Sequence, residues 1–471
     1  MPLGRTRCVA LSGIDGHVVD VEADVASGLP AFTITGLPDT SLGESRDRVR
    51  AACANSGVAL PPHRLTVNLS PASLPKGGTA FDLAVAIAVL AAGEVVPARW
   101  SFDVVHLGEL SLDGRVRPVR GILPAVLAAA RAGVTRVVVP AGNALEAMLV
   151  PGVEVLAADT LRGLVAHYRG EGPAPEPPAR APAPLRAVAP PDLRDVIGQH
   201  EARAALEVAA AGGHHLFLMG PPGAGKTMLA ARLPGLLPDL DTDAALEVTA
   251  VHSLAGVLPA DSGLLVRPPF VDPHHTASPA SIVGGGSGIP RPGAASRAHH
   301  GVLFMDEAPE FDTRVLDALR QPLESGELVI HRAAGVARYP ARFQLVLAAN
   351  PCPCGRSSGT GIDCTCTPMA RRRYVHRLSG PLLDRVDLQV QVQPVTRAAM
   401  DPDAVAEGSA AVAARVLVAR AVQRERWAGT PWRVNSQVPG ADLRRGRFRL
   451  SPAATRVLDR GVDRGTLSVR G

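Results

Sequence analysis

The sequence predicts an α/β protein of several domains, and three observations carry that expectation. A glycine-rich fingerprint, Gly220-Pro-Pro-Gly-Ala-Gly-Lys-Thr227, lies between an apolar run and a helix-like segment. Short apolar runs of strand length recur along the chain, with helical or glycine-turn segments beside them. A Pro-rich stretch over residues 170–191 interrupts both patterns and reads as an extended linker. At 471 residues the chain is long enough for about three domains at roughly 150 residues each.

Residues 1–169 alternate strand-like segments (Leu65–Leu69, Val137–Val139) with helix-like ones (Phe81–Ala92, Leu123–Ala132). Residues 192–395 hold three short apolar runs, Leu216–Met219, Val302–Met305 and Gln344–Ala348, which read as buried parallel strands. Residues 396–471 turn helical, with Ala404–Trp427 the longest candidate, and form a small lid. No repeat of fixed period is present.

Composition excludes some classes. The apolar fraction of 46% argues against wholesale disorder. The longest apolar run, Leu83–Ala92, covers about half of what a helix needs to span a bilayer, so no membrane partner is expected. The N-terminus lacks the apolar core of a signal peptide, which predicts a cytoplasmic protein. The net charge of +5 is too small to name a nucleic-acid partner by itself. Arg clusters at Arg371–Arg373 and along 433–470 fit a polyanion or an ordinary solvated face equally well.

The glycine-rich loop carries the most chemistry. Gly220, Pro221, Pro222, Gly223, Ala224 and Gly225 let successive backbone N–H groups curl around phosphates at a helix N-terminus. Lys226 reaches the β- and γ-phosphates, and the Thr227 hydroxyl ligates Mg²⁺. The chain has only two Lys, Lys76 and Lys226, so a Lys here reflects a demand for a compact ammonium that Arg cannot meet. The expected ligands are therefore ATP and Mg²⁺. The strand Val302–Met305 ends in Asp306, a candidate for the Mg²⁺ shell, and Glu307, a candidate to deprotonate the attacking water. The next strand ends in Asn350, placed to sense the γ-phosphate.

Taken together, Asp195-Val-Ile-Gly-Gln-His200, the glycine-rich loop, PRPGAASRAHHGVLFMDEAPEF (290–311), LAANPCPCG (347–355) and LSGPLLDRVDL (378–388) resemble the ComM/YifB family of magnesium-chelatase-like AAA+ ATPases. The resemblance implies a P-loop AAA+ parallel-sheet domain, a homo-oligomeric ring, a hexamer in this family, and a DNA helicase that drives branch migration in natural transformation and recombination. It implies that Arg385 is an arginine finger completing a neighbour's site. It also implies that Arg470 is the sensor arginine of a lid that looks truncated, since the sequence stops one residue later. Ala294 departs from the family pattern, which commonly has an acid there. Two other readings stand beside the DNA motor: a chelatase-like ATPase remodelling a protein or tetrapyrrole, and a nucleotide-gated scaffold.

Three further segments leave alternatives open. Glu327–Gln344 reads as a hairpin around Gly335; in related rings such a hairpin faces the channel and touches DNA, while a purely structural hairpin fits too. The Gly284-Gly-Gly-Ser-Gly-Ile-Pro stretch is similar to a loop insertion typical of that family, and a plain flexible loop explains its glycines equally well. Cys352, Cys354, Cys364 and Cys366 form two C-x-C pairs that suit a structural Zn²⁺, a redox pair or free thiols. The N-terminal domain, with LPKGGTA (74–80) and Gly108–Gly133, is similar to the proteolytic domain of Lon-type proteases. Ala80 occupies the nucleophile position and Pro124 lies near that of the catalytic Lys, so the resemblance implies a non-proteolytic, Lon-protease-like domain.

Overall fold

The computed structural model describes residues 3–36, 40–74, 76–178, 190–259, 262–286, 290–332, 335–357, 363–394, 406–443, 449 and 451–464. The N-terminal region is a seven-stranded mixed sheet in the order Ala31–Thr35, Arg64–Ser70, Asp15–Ala26, Gly4–Ser12, Val104–His106, Arg136–Pro140, Glu154–Ala158. The long hairpin Gly4–Ser12/Asp15–Ala26 is antiparallel, and the three strands beyond it run parallel. The helix Asp82–Ala92 packs on this hairpin and is buried along its whole length, which explains why it reads as an unbroken apolar run instead of an amphipathic one.

The second region holds a five-stranded parallel sheet in the order Phe270–Val271, Val302–Met305, Gln344–Ala349, Leu216–Met219, Leu388–Gln391. Its three central strands are buried on both faces, while Leu388–Gln391 at one edge leaves Gln389 and Gln391 exposed, and the period of two sorts the central side chains. Leu303, Met305, Leu345 and Leu347 enter one apolar core, whereas Val302, Phe304, Val346 and Ala348 enter the other. All three apolar runs expected to be parallel strands are so.

The longest C-terminal helix spans Ser409–Arg426, and Val412 and Val416 join the second core beside the His200–Gly212 helix. Arg420 donates to the Ala210 carbonyl and Gln423 to that of Ala211, satisfying carbonyls left over at the end of that helix. The Gly284 stretch, expected as a loop, contains a two-residue strand pairing Gly284–Gly285 with Arg291–Pro292; residues 287–289 lie outside the described set. Half of the expected linker, residues 179–189, and the start of the expected lid, 396–405, also lie outside it, while the described linker residues 173–178 and 190–191 form neither helix nor strand. Among the described residues no helix is long and apolar enough to cross a membrane.

The two regions touch. The turn after Gly4–Ser12 adds to the edge of the Gly335–Pro340 strand: Ile14 N donates to the Arg338 carbonyl at 3.2 Å, and Ser12 Oγ to the Val336 carbonyl at 2.9 Å. Nearby, the helix Ile122–Arg131 packs against Thr242–Ala255. A cleft of about 890 Å³ lies between the regions, lined by Asp15, His17, Arg131, Glu247, Arg338 and Arg342 among others.

Candidate nucleotide site

Three adjacent parallel strands end side by side, and the residues after their carboxyl ends converge, as expected of an open α/β sheet. Gly220–Thr227 follows Leu216–Met219 and runs into the helix Lys226–Arg232. Gly223 (φ +77°) and Gly225 (φ +91°) take left-handed backbone conformations with open space where a Cβ would sit. Glycine is therefore demanded there by backbone geometry, and the loop keeps the concave, side-chain-free surface that a phosphate cradle requires.

Lys226 Nζ donates to the Gly220 carbonyl at 2.8 Å, the Pro221 carbonyl at 3.0 Å and Asn350 Oδ1 at 3.1 Å. Burial lowers its pKa, and the charges of Asp306 and Glu307 oppose that shift. Thr227 Oγ1 donates to Asp306 Oδ2 at 2.6 Å, joining a hydroxyl and a carboxylate as an Mg²⁺ shell would need them. The other carboxylate oxygen of Asp306 accepts the Glu307 backbone N–H at 2.9 Å. Glu307 itself has φ +50°, a strained conformation for a non-glycine residue, and its carboxylate lies 3.0 Å from His275 Nδ1. Gln199 ties the loop down from outside, donating to the carbonyls of Ala224 (3.0 Å) and Gln393 (2.6 Å).

Lys226, Thr227, Asp306, Glu307 and Asn350 are thus brought together. Arg385 is engaged by other partners: its guanidinium pairs with Glu324 and donates to the Pro381 carbonyl. Arg470 lies outside the described residues.

The four cysteines of the 352–366 segment converge. Cys352 Sγ lies 3.4 Å from Cys354 Sγ and 3.7 Å from Cys364 Sγ, Cys354 Sγ lies 3.7 Å from Cys364 Sγ, and all four sulfurs fall within 4.8 Å of one another. Cys8 and Cys53 are buried and remote from the cluster in sequence.

Sequence reasoning missed a second cluster, Glu247, His299 and His300. His299 Nδ1 accepts the Arg342 backbone N–H at 3.0 Å, so its proton sits on Nε2 and points at Glu247 Oε2, 3.0 Å away. That Nε2 has no lone pair to offer a metal. The hydrogen bonds from His299 and His300 hold Glu247 below the usual carboxylate range, and burial pushes His299 down to about 4.

In the N-terminal region, the Ala80 carbonyl accepts the Gly108 N–H at 3.0 Å. Lys76 is buried, its ammonium donating to the Gly36 carbonyl at 3.0 Å and to that of Pro71. The nearby Asp82 carboxylate is fully buried against Arg48, at 2.7 Å to Nε and 3.0 Å to Nη2.

The profile described as magnesium chelatase, subunit ChlI, matches residues 192–400; those for subunit ChlI of Mg-chelatase and for the ChlI C-terminal part match 21–143 and 406–471. A P-loop protein of the magnesium-chelatase-like class is what sheet, loop and profiles define together. The chain belongs to the ComM/YifB family of magnesium-chelatase-like AAA+ ATPases. It is 54% identical to a Mycobacterium tuberculosis protein over 472 aligned residues, covering 100% of this chain and 92% of the relative. It is 44% identical to YifB of Escherichia coli (90% of this chain, 83% of the relative), and 41% identical to the competence protein ComM of Haemophilus influenzae (100% and 91%). The Lon protease of Rhizobium meliloti is similar at 28% identity over 42% of this chain and 25% of the protease.

Proposed function

We propose that this chain is an Mg²⁺-dependent ATPase that works as a homo-oligomeric ring, a hexamer, on single-stranded or branched DNA in the cytoplasm, driving branch migration. The observation that carries the ATPase reading is the meeting of Lys226, the Thr227–Asp306 pair and Asn350 at the ends of adjacent strands. The DNA reading draws support from the relative named as a competence protein.

In this reading Gly220–Thr227 binds the phosphates, with Lys226 exchanging its carbonyl partners for phosphate oxygens. Thr227 and Asp306 would hold Mg²⁺, which neutralises phosphate charge when bound. Glu307 accepts the proton of the attacking water, and Asn350 orients toward the terminal phosphate. Arg385 leaves Glu324 to serve the site of the adjacent subunit, and Arg470 serves as the lid's sensor arginine. The four cysteines supply a thiolate set suited to a structural Zn²⁺.

The test is ATP turnover with and without single-stranded and branched DNA. Turnover stimulated by DNA and reduced at least about 100-fold by Glu307→Gln supports the motor. Turnover indifferent to DNA, alongside DNA binding indifferent to ATP, overturns it. The matches to a chelatase subunit favour a second reading, a remodelling ATPase, whose mark would be turnover stimulated by a porphyrin.

A further inference from the structure

The cysteine cluster is built against the nucleotide loop, and the contact between them is close. The strand Gln344–Ala349 ends at Asn350, whose Oδ1 accepts from Lys226, and the first cysteine follows two residues later. The Cys352–Cys354 turn closes with Gly355 N donating to the Cys352 carbonyl at 2.9 Å. Gly355 has φ +76°, and a Cβ there would lie 2.6 Å from both Cγ and Cδ of Pro222 in the phosphate loop. A glycine is needed at this point for backbone conformation and for the close approach alike. The far arm is tied in by Arg371, which donates to the Cys366 carbonyl at 3.2 Å and to Ser357 Oγ at 3.3 Å.

The sulfur positions suit one kind of occupant. Four thiolates at about 2.3 Å from a tetrahedral ion stand about 3.8 Å apart along each edge, and the three separations of 3.4, 3.7 and 3.7 Å come close to that spacing. A covalent pair would bring two sulfurs to about 2.05 Å and leave the other two out. An all-sulfur donor set selects a soft or borderline ion such as Zn²⁺ over Mg²⁺ or Ca²⁺.

We propose that Cys352, Cys354, Cys364 and Cys366 bind one Zn²⁺ per chain, and that the metal-closed knuckle clamps Asn350 and Pro222, so that metal loading sets nucleotide affinity. The proposal rests on the reading of Gly220–Thr227 as an ATP site. It assigns the knuckle a function beyond local folding. The ion fixes the turn that begins two residues after Asn350, and through Gly355 it fixes the outer wall of the phosphate loop.

The experiment measures zinc by elemental analysis of the purified full chain, together with binding of a fluorescent ADP analogue. The expected results are one zinc per chain, at least tenfold weaker nucleotide binding after zinc is stripped with a chelator, and recovery when Zn²⁺ alone is returned. Cys364→Ser/Cys366→Ser should lose the zinc and reproduce the weak binding. Gly355→Ala guards against a misfolded cysteine variant. It leaves every ligand in place, so it should keep its zinc and still bind the analogue several-fold more weakly. Absence of zinc, or zinc whose removal changes nucleotide binding by less than twofold, overturns the clamp while the ATP site stands. A zinc-loaded wild type that binds no nucleotide overturns the ATP site and the clamp with it.

Discussion

Replacing Gly13 by Ala tests whether the N-terminal region is locked to the antiparallel strand pair Glu327–Arg332/Gly335–Pro340. Gly13 has φ +67°, and an added Cβ would stand 2.2 Å from the Arg338 carbonyl oxygen and 2.6 Å from its nitrogen, both backbone atoms that cannot swing away. The left-handed conformation alone costs an alanine about 1–2 kcal/mol. The clash adds the loss of the Ile14 N–Arg338 O and Ser12 Oγ–Val336 O hydrogen bonds, at about 1 kcal/mol each. Gly133→Ala is the control, because its φ of +82° brings the same strain with nothing within 4 Å to hit. Native-state hydrogen exchange at the Ile14 amide is the assay. The roughly 2 kcal/mol assigned to docking should speed exchange about 30-fold in Gly13→Ala and leave Gly133→Ala close to wild type at that amide. Equal exchange in all three proteins would refute the docking argument.

Three other predictions follow from buried groups. Arg48→Met strands the fully buried Asp82 carboxylate, and should cost about 3–5 kcal/mol at pH 7, measured by chemical denaturation of the N-terminal region, with Arg48→Met/Asp82→Leu recovering most of the loss. Burial holds His106 at about 3 and His299 at about 4, below the 6.5 of an exposed imidazole. The folded protein therefore binds fewer protons than the unfolded chain between those values. Stability from this source should be complete above pH 6.5 and fall toward pH 4 by up to about 1.4 kcal/mol per pH unit per imidazole, read as melting temperature against pH. Ala80→Ser restores a hydroxyl at the Lon-like nucleophile position without a base, since the Lys76 ammonium is spent on the Gly36 and Pro71 carbonyls; a peptide-cleavage assay should stay blank, and measurable cleavage would contradict that placement.

The sheet of the second region and the grouping of its candidate residues were legible because their signals are local. Val302–Met305 and Leu345–Ala349 are apolar on both faces, each followed by a polar residue, Asp306 or Asn350, and Gly223 and Gly225 announce a backbone that only glycine tolerates. What stayed hidden depends on residues far apart in sequence. Glu247 meets His299 across 52 positions, and Ser12 meets Val336 across 324. No periodicity encodes either contact. The pairing of Glu307 with His275 is hidden in the same way, since the two residues lie on separate segments of the chain. Burial of Lys76 gave no trace, because a lysine in a polar loop looks the same whether its ammonium meets water or two carbonyls.

Three groups of the proposed catalytic set are held by partners from their own chain: Lys226 by two carbonyls and Asn350, Glu307 by His275, and Arg385 by Glu324. Each contact engages a charged or polarisable group, and its exchange costs about 1–3 kcal/mol unless something replaces it. In the proposed ATP site, phosphate oxygens would replace the carbonyls for Lys226 within one chain. For Arg385 the replacement comes from the neighbouring subunit in the proposed ring, so its release from Glu324 is coupled to assembly. Turnover per chain should accordingly rise with protein concentration until rings are complete. Glu324→Gln, which weakens the competing pair, should lower the concentration at which that happens. Turnover independent of concentration in both proteins would show that Arg385 works within its own chain or not at all.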